Sequence, residues 1–274
     1  MKRREKPYKI LTSIKRLITR KNFSEQDLIY DLFSKLSHKK PDDRILIDVG
    51  AHYGISMLKF AKSDWTVYCF EPDDNNRSVL EKNIREHKLK KVFVDGRAVS
   101  YAETRAKYYI SEISSGISSL IKFHPSHKEA KEVETTTLSA FCIKKSISNI
   151  DFLKFDTEGN DLKVIEGLDM KNNRPKIVLC EYEDAKTRLI GYSKEDMIKY
   201  LETFGYRCII SEWYPIVKYG TKHRWKKITD EITLVDNNSW GNIIAIEPEL
   251  YQLFIKTINK SLRFKRKNLN LVNQ

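Results

Sequence analysis

The segment Ile45-Leu-Ile-Asp-Val-Gly-Ala-His-Tyr-Gly54, together with Trp65–Phe70 and the acid Glu71, restricts the fold more than any other part of this sequence. An apolar, β-prone run, Ile45–Val49, turns through glycine into helical spacing at Ile55–Ala61. A second β-prone run, Trp65–Phe70, follows and ends at Glu71. A strand, a helix and a strand in this order imply two parallel strands joined by a right-handed crossover. Gly50 permits the tight turn that this requires, and Gly54 allows close approach of the backbone to a ligand or a strand.

The alternation continues along the chain. Asn76–His87 is predicted as a helix and Lys91–Val94 as a strand. Lys107–Ile110 and Val133–Thr136 read as strands on either side of the small polar loop Ser111–Ser119. Thr137–Lys145 is then a helix, Phe152–Phe155 a strand, Asp161–Leu168 a helix and Lys176–Glu181 a strand. Ser193–Phe204 is a helix opened by a serine cap with Glu195 and Asp196 in its first turn. Arg207–Ser211, Glu231–Val235 and Asn242–Ile246 are expected as late strands, the first two as an antiparallel edge.

Asp48 and Glu71 lie 23 residues apart at the ends of neighbouring strands. An acid in the second position can accept both hydroxyls of an adenosine ribose. The dinucleotide pattern G-x-G-x-x-G and the P-loop are absent, because the only glycines of the turn are Gly50 and Gly54 and no Gly-Lys-Ser/Thr follows. An acid at the end of the first strand would repel a pyrophosphate but suits a cofactor that carries an ammonium and a sulfonium. Asp48-x-Gly50-x-His52-x-Gly54 fits the acid and glycine turn of S-adenosylmethionine enzymes, with His52 in the middle glycine position. For Asp48 and Glu71, capping a helix and ending a strand remain the plain alternatives.

Charge is distributed unevenly. Residues 1–40 carry twelve Lys/Arg and four Asp/Glu, residues 249–274 six and one, and residues 41–248 thirty-two of each. The whole formal excess of +13 therefore sits at the ends. This pattern implies a basic helical extension over 1–40, a neutral central domain over 41–248 and a basic amphipathic tail over 249–274, and it counts against a nucleic-acid groove through the middle. In the tail, Leu250, Leu253, Phe254, Ile258, Leu262 and Phe264 share a face beside Lys256, Lys260, Arg263 and Lys265. Such basic ends suit packing on a partner, an anionic membrane surface, RNA, or a solvated tail. Four cysteines without CxxC spacing, Cys69, Cys142, Cys180 and Cys208, read as buried reduced thiols. With no continuous apolar signal-like or membrane-spanning run, a cytoplasmic setting is expected, with the membrane periphery as the alternative that the basic ends allow.

Residues from Ile47 to Gly167 carry a resemblance. Ile47-Asp-Val-Gly-Ala-His-Tyr-Gly54, Phe70-Glu-Pro72, Asp95-Gly-Arg-Ala-Val-Ser100, Ser114-Ser-Gly-Ile-Ser-Ser-Leu120, Thr136-Thr-Leu138, Ile150-Asp-Phe-Leu-Lys-Phe-Asp-Thr-Glu-Gly159 and Val164-Ile-Glu-Gly167 resemble the FkbM family of S-adenosylmethionine-dependent methyltransferases. Together they span roughly residues 44–183, and the Leu-Lys-Phe-Asp-x-Glu-Gly piece is the most specific. The chain departs from the family pattern at His52, where a small amide is usual, and at Ser139, where an acid is common.

The resemblance implies an α/β class I methyltransferase fold, Rossmann-like, with a seven-stranded mostly parallel sheet between helices and one antiparallel strand. It also implies methyl transfer to a hydroxyl, often that of a saccharide. Carried over by motif, Asp48, Gly50, Ala51, His52 and Gly54 would surround the methionine part, and Glu71 with Pro72 the ribose. Asp95 and Arg97 would lie near the adenine, and Asp156 would face the sulfonium and the acceptor.

Methyl transfer depends on alignment of the acceptor oxygen and on removal of its proton. The candidates for that proton are Asp156, then Glu158, then Glu181, with His52 behind them. A divalent cation held by Asp156, Glu158 and Glu181 is the alternative use of these acids, although no His/Cys ligand spacing accompanies them. Trp213, Tyr214, Tyr219, His223, Arg224, Trp225, Lys226 and Lys227 form an aromatic and basic stretch that suits either an acceptor surface or the core. RNA methylation and a non-catalytic binding module are the competing readings.

Overall fold

The computed structural model describes residues 23–36 and 40–270, with side chains as far as Leu262. Residues 1–22 of the helical extension expected over 1–40 lie outside the described residues, and the side chains of Arg263, Phe264 and Lys265 in the tail are likewise outside them. An eight-stranded sheet forms the centre. Strands β1 (Ile45–Val49), β2 (Thr66–Phe70) and β3 (Val92–Asp95) run parallel on one side, connected through helices α2 (Leu58–Ala61) and α3 (Asp74–Glu86).

A second, three-stranded sheet follows, built from β4 (Ala98–Val99), β5 (Arg105–Ser111) and β6 (His127–Thr136). Helix α4 (Leu138–Lys145) then returns the chain to the other side of β1. There β7 (Phe152–Phe155) pairs with β1, and β8 (Ile177–Glu183) with β7, both parallel. Between β7 and β8 lies α5 (Asp161–Glu166). After β8 come α6 (Asp184–Thr187), α7 (Lys194–Thr203), β9 (Arg207–Trp213), β10 (Trp225–Thr229), β11 (Trp240–Ile246) and α8 (Pro248–Asn270).

The strand order is β10-β9-β11-β8-β7-β1-β2-β3, with the direction of connection reversing at β1. In open parallel sheets a crevice forms outside the strand ends at such a reversal, so topology already places a binding site beyond Val49 and Phe155.

The structure corrects three expectations. The sheet has eight strands rather than seven, and both β11 and β10 pair antiparallel to their neighbours. Glu231–Val235 is not a strand but contains a 3-10 turn at Ile232–Leu234. The edge partner of β9 is instead Trp225-Lys-Lys-Ile-Thr229, whose charge hid it. A bulge between Trp225 and Lys227 accompanies the convergence of two neighbouring lysines on the buried Glu212: Lys226 Nζ stands 2.7 Å from Oε1 and Lys227 Nζ 3.3 Å from Oε2. The helix expected at Ile55–Ala61 is confined to Leu58–Ala61, because the turn before it uses left-handed backbone at Gly50, His52 and Gly54.

Both described ends join the core. Helix α1 (Glu25–Phe33) buries Leu28, Ile29, Leu32 and Phe33. Its Glu25 Oε1 accepts from Ser211 Oγ at 2.5 Å and from Trp213 Nε1 at 3.0 Å. Helix α8 packs against α1 and the sheet through Tyr251, Phe254, Ile255, Ile258 and Leu262, while Lys256 and Lys260 face solvent. The apolar stripe of the tail is thus spent on the core, as hydrophobic burial favours. Among the described residues no helix is long and apolar enough to cross a membrane, and all four cysteines are free.

Candidate active site

A cavity of about 290 Å³ opens at the carboxyl ends of β1, β2 and β7. Its first wall is the turn after β1, with Gly50, Ala51, His52 and Tyr53. Gly50 has φ +70°, and a Cβ there would stand 2.0 Å from the carbonyl oxygen of Asp156. The end of β7 therefore closes onto the turn of β1 only because residue 50 has no side chain. Gly54, at φ +77°, faces Leu80 of α3 rather than a ligand.

Asp48 itself does not line the cavity. It is buried, with Oδ2 accepting from Ser56 Oγ at 2.6 Å and Oδ1 paired with Lys154 Nζ at 3.0 Å. Lys154 also donates to Gly50 O at 2.9 Å and does line the cavity. Burial disfavours its ammonium, but Asp48 and Asp156 outweigh that cost and raise its pKa. Asp48 thus acts through Lys154, which fixes the glycine turn.

The second wall is Glu71 with Pro72. Glu71 Oε2 accepts from His52 N at 2.7 Å and Oε1 from Asp73 N at 3.0 Å. Burial raises its pKa to about 7 against the pull of those two N–H groups. Each oxygen accepts one of these backbone bonds, and a carboxylate oxygen has capacity for a second, so it can also receive a ribose hydroxyl. His52, at φ +50°, stacks on Tyr53 with ring centroids 3.7 Å apart, and its Nε2 meets Ser115 Oγ at 2.9 Å. Burial and then Lys154 lower its pKa, which favours neutral imidazole.

Asp156, Thr157 and Glu158 form the third wall. Asp161, one residue into α5, accepts from Thr157 N and Gly159 N, both at 3.1 Å, and so holds the turn after β7. Glu158 adopts φ +58° there, a strained conformation for a non-glycine residue. Oδ1 of Asp156 and Oγ1 of Thr157 are buried with no hydrogen-bond partner among the described residues. Orphaned polar atoms beside a cavity fit a ligand that supplies the missing donors.

The loop between β5 and β6 crosses the opening. Ser115 meets His52 and also Tyr53 Oη at 3.1 Å, and Ser119 Oγ donates to the carbonyls of Thr157 and Glu158 at 3.1 and 2.9 Å. The loop therefore ties the β1 turn to the β7 turn over the cavity.

Other expected residues stand apart from it. Asp95 and Arg97 pair with each other, Arg97 Nη2 lying 2.7 Å from Asp95 Oδ2, and neither lines the cavity. Ser139 bonds Gly167 O at 2.8 Å, joining α4 to the end of α5. Glu181 sits behind the wall. One carboxylate oxygen each of Asp156, Glu158 and Glu181 lies within 4.8 Å of the others. Lys186 of α6 reaches into this group, bonding Glu158 and lying 3.3 Å from Glu181 and 2.7 Å from Glu183. Burial raises the pKa of Glu158 to about 7 and pushes Glu181 upward, with Lys186 opposing both shifts.

Of the aromatic and basic stretch, Tyr219 reaches this cluster, donating to Glu183 at 3.2 Å. Trp225 stacks on Phe23 in the core, Trp213 packs on Trp240, and Arg224 lies over Tyr214.

Sequence reasoning overlooked Lys154 and Lys186. Lys154 had a signal, since a lysine inside the otherwise apolar strand Phe-Leu-Lys-Phe needs a buried counter-charge. Lys186 had none, being one of many lysines on short polar segments.

Solved structures with a similar fold include precorrin-6y C5,15-methyltransferase from Geobacter metallireducens, at 13% identity and TM-score 0.41, covering 86% of this chain and 95% of that one. The METTL16 methyltransferase domain is 14% identical with TM-score 0.44, covering 80% and 65%. TehB from Haemophilus influenzae is 9% identical with TM-score 0.43, covering 80% and 61%. These likenesses concern the fold alone. No curated protein matches the chain. The Methyltransferase FkbM domain matches residues 48–208, more than half of the sequence. The chain accordingly belongs to the FkbM family of methyltransferases, with S-adenosylmethionine as cofactor.

Proposed function

We propose that this methyltransferase acts on a hydroxyl of a saccharide-containing acceptor, with Glu158 taking the proton. The observation that carries the reading is the turn after β7, which sets Asp156, with its unpartnered Oδ1, and Glu158 close together at the cavity. When bound, S-adenosylmethionine supplies an electrophilic methyl group on a positively charged sulfur. Gly50, Ala51 and His52 bind its methionine part through the β1 turn, and Glu71 receives the ribose hydroxyls. Asp156 orients the acceptor hydroxyl through its free oxygen. With the methyl group supplied by the bound cofactor, Glu158 would take the proton that the acceptor hydroxyl gives up. Glu158 rather than Asp156 has the role of base because burial holds its pKa at about 7, near working pH.

The test uses labelled S-adenosylmethionine with separate glycan, lipid-linked saccharide and RNA fractions. Label entering a saccharide fraction supports the reading, and label entering RNA alone replaces it with RNA methylation. Glu71→Ala is expected to weaken S-adenosylmethionine binding by at least about 100-fold in calorimetry, the loss of two hydrogen bonds to a charged group. Unchanged affinity would remove Glu71 from the cofactor site.

A further inference from the structure

Lys186 belongs to no part of the cofactor site, yet it is among the most enclosed charges in the protein. Its side chain is 2% exposed, and its ammonium bonds Glu158, Glu183 and Glu181. The rings of Phe123 and Tyr219 lie 5.1 and 5.7 Å from the same nitrogen. Tyr219 in turn donates to Glu183, so both the acids and the aromatic groups converge on one buried cation. Two of its three carboxylate partners belong to the group whose oxygens lie within 4.8 Å of one another. A spacing of that kind among hard oxygen donors also suits a divalent cation.

We propose that Lys186 is a positioning residue that serves as the resident cation of the acceptor side, holding Glu158 toward the cavity and filling the place a divalent ion would otherwise take. The inference rests on Glu158 being the proton acceptor. Without a cation, Asp156, Glu158, Glu181 and Glu183 would gather like charges in a low-dielectric pocket, and their mutual repulsion would turn Glu158 away. With the ammonium in place, Glu158 keeps one oxygen on Lys186 and the other free. A covalently tethered cation also needs no metal supply, so methyl transfer is expected to survive EDTA.

Manganese chloride alone is the probe, titrated into the full chain and followed by the electron paramagnetic resonance signal of free Mn²⁺. The wild-type protein should bind none up to about 1 mM, whereas Lys186→Met, which keeps the stem against Phe123 and Tyr219, should gain binding at least about tenfold tighter. Lys186→Gln provides a second neutral replacement. Thermal melting and S-adenosylmethionine calorimetry on the same samples identify the folded variants. Wild-type protein that binds Mn²⁺ as tightly as Lys186→Met overturns the assignment, and so does a folded neutral variant that gains no binding. Failure of the wild type to bind S-adenosylmethionine would instead remove the reading of the site itself.

Discussion

Gly50→Ala is expected to cost at least about 3 kcal/mol of stability and to abolish S-adenosylmethionine binding. Two effects add at this position. The backbone is left-handed, at φ +70°, which costs an alanine about 1 kcal/mol. The new Cβ would also stand 2.0 Å from Asp156 O and 3.0 Å from its carbonyl carbon. Those atoms are backbone at the end of a central strand, so no side chain can swing aside. Relief requires β1 and β7 to part at their carboxyl ends, where they form two walls of the cavity. Gly191→Ala isolates the conformational part, because φ there is +89° and nothing lies within 4 Å of the added carbon. Urea unfolding of both variants reads the difference. Equal destabilisation would show that the contact between Gly50 and Asp156 is unimportant.

Glu158→Gln should lower methyl transfer by about 10²-fold to 10⁴-fold, the range for losing a general base, with cofactor affinity within about threefold of wild type. The amide retains the size of the side chain and an oxygen for Lys186, so the turn can persist. What it lacks is a site for the proton. The pH dependence follows from the direction of the shift. Burial raises Glu158 to about 7, so the carboxyl is protonated below that pH and ionised above it. Wild-type kcat, read at saturating S-adenosylmethionine so that ionisation of Glu71 does not enter, should therefore rise with pH through about 7, and this limb should be missing from Glu158→Gln. A variant that retained both the rate and the limb would move the proton acceptor to Asp156.

The acidic residues illustrate how much of the site was legible. Strand-end position alone grouped Asp48, Glu71, Asp156 and Glu158, and all four do stand at the ends of β1, β2 and β7. Position did not divide their roles. Asp48 faces inward to Lys154 and Ser56, Glu71 carries two backbone N–H groups, Asp156 keeps a free oxygen, and Glu158 is held by a lysine distant in sequence. Asp95 and Arg97 satisfy each other, a pairing that a motif position does not reveal. The turn after β7 is held by Asp161, a residue outside the expected site, through Thr157 N and Gly159 N.

The tail shows the same division. Periodicity in α8 marked an apolar face correctly, but a hydrophobic stripe does not state what covers it. Tertiary packing gives that face to α1 and the sheet.

From the sequence alone came the parallel α/β architecture, the glycine turn and the gathering of acids at strand ends, because strand periodicity, glycine spacing and strand ends are local properties. Tertiary structure alone decided that Gly50 must admit the Asp156 carbonyl, that Lys154 locks the β1 turn, and that Lys186 stands among the acids near the acceptor. Each of these depends on atoms brought within a few ångströms from segments far apart in the chain, where close packing and buried charge, rather than local pattern, set the energy.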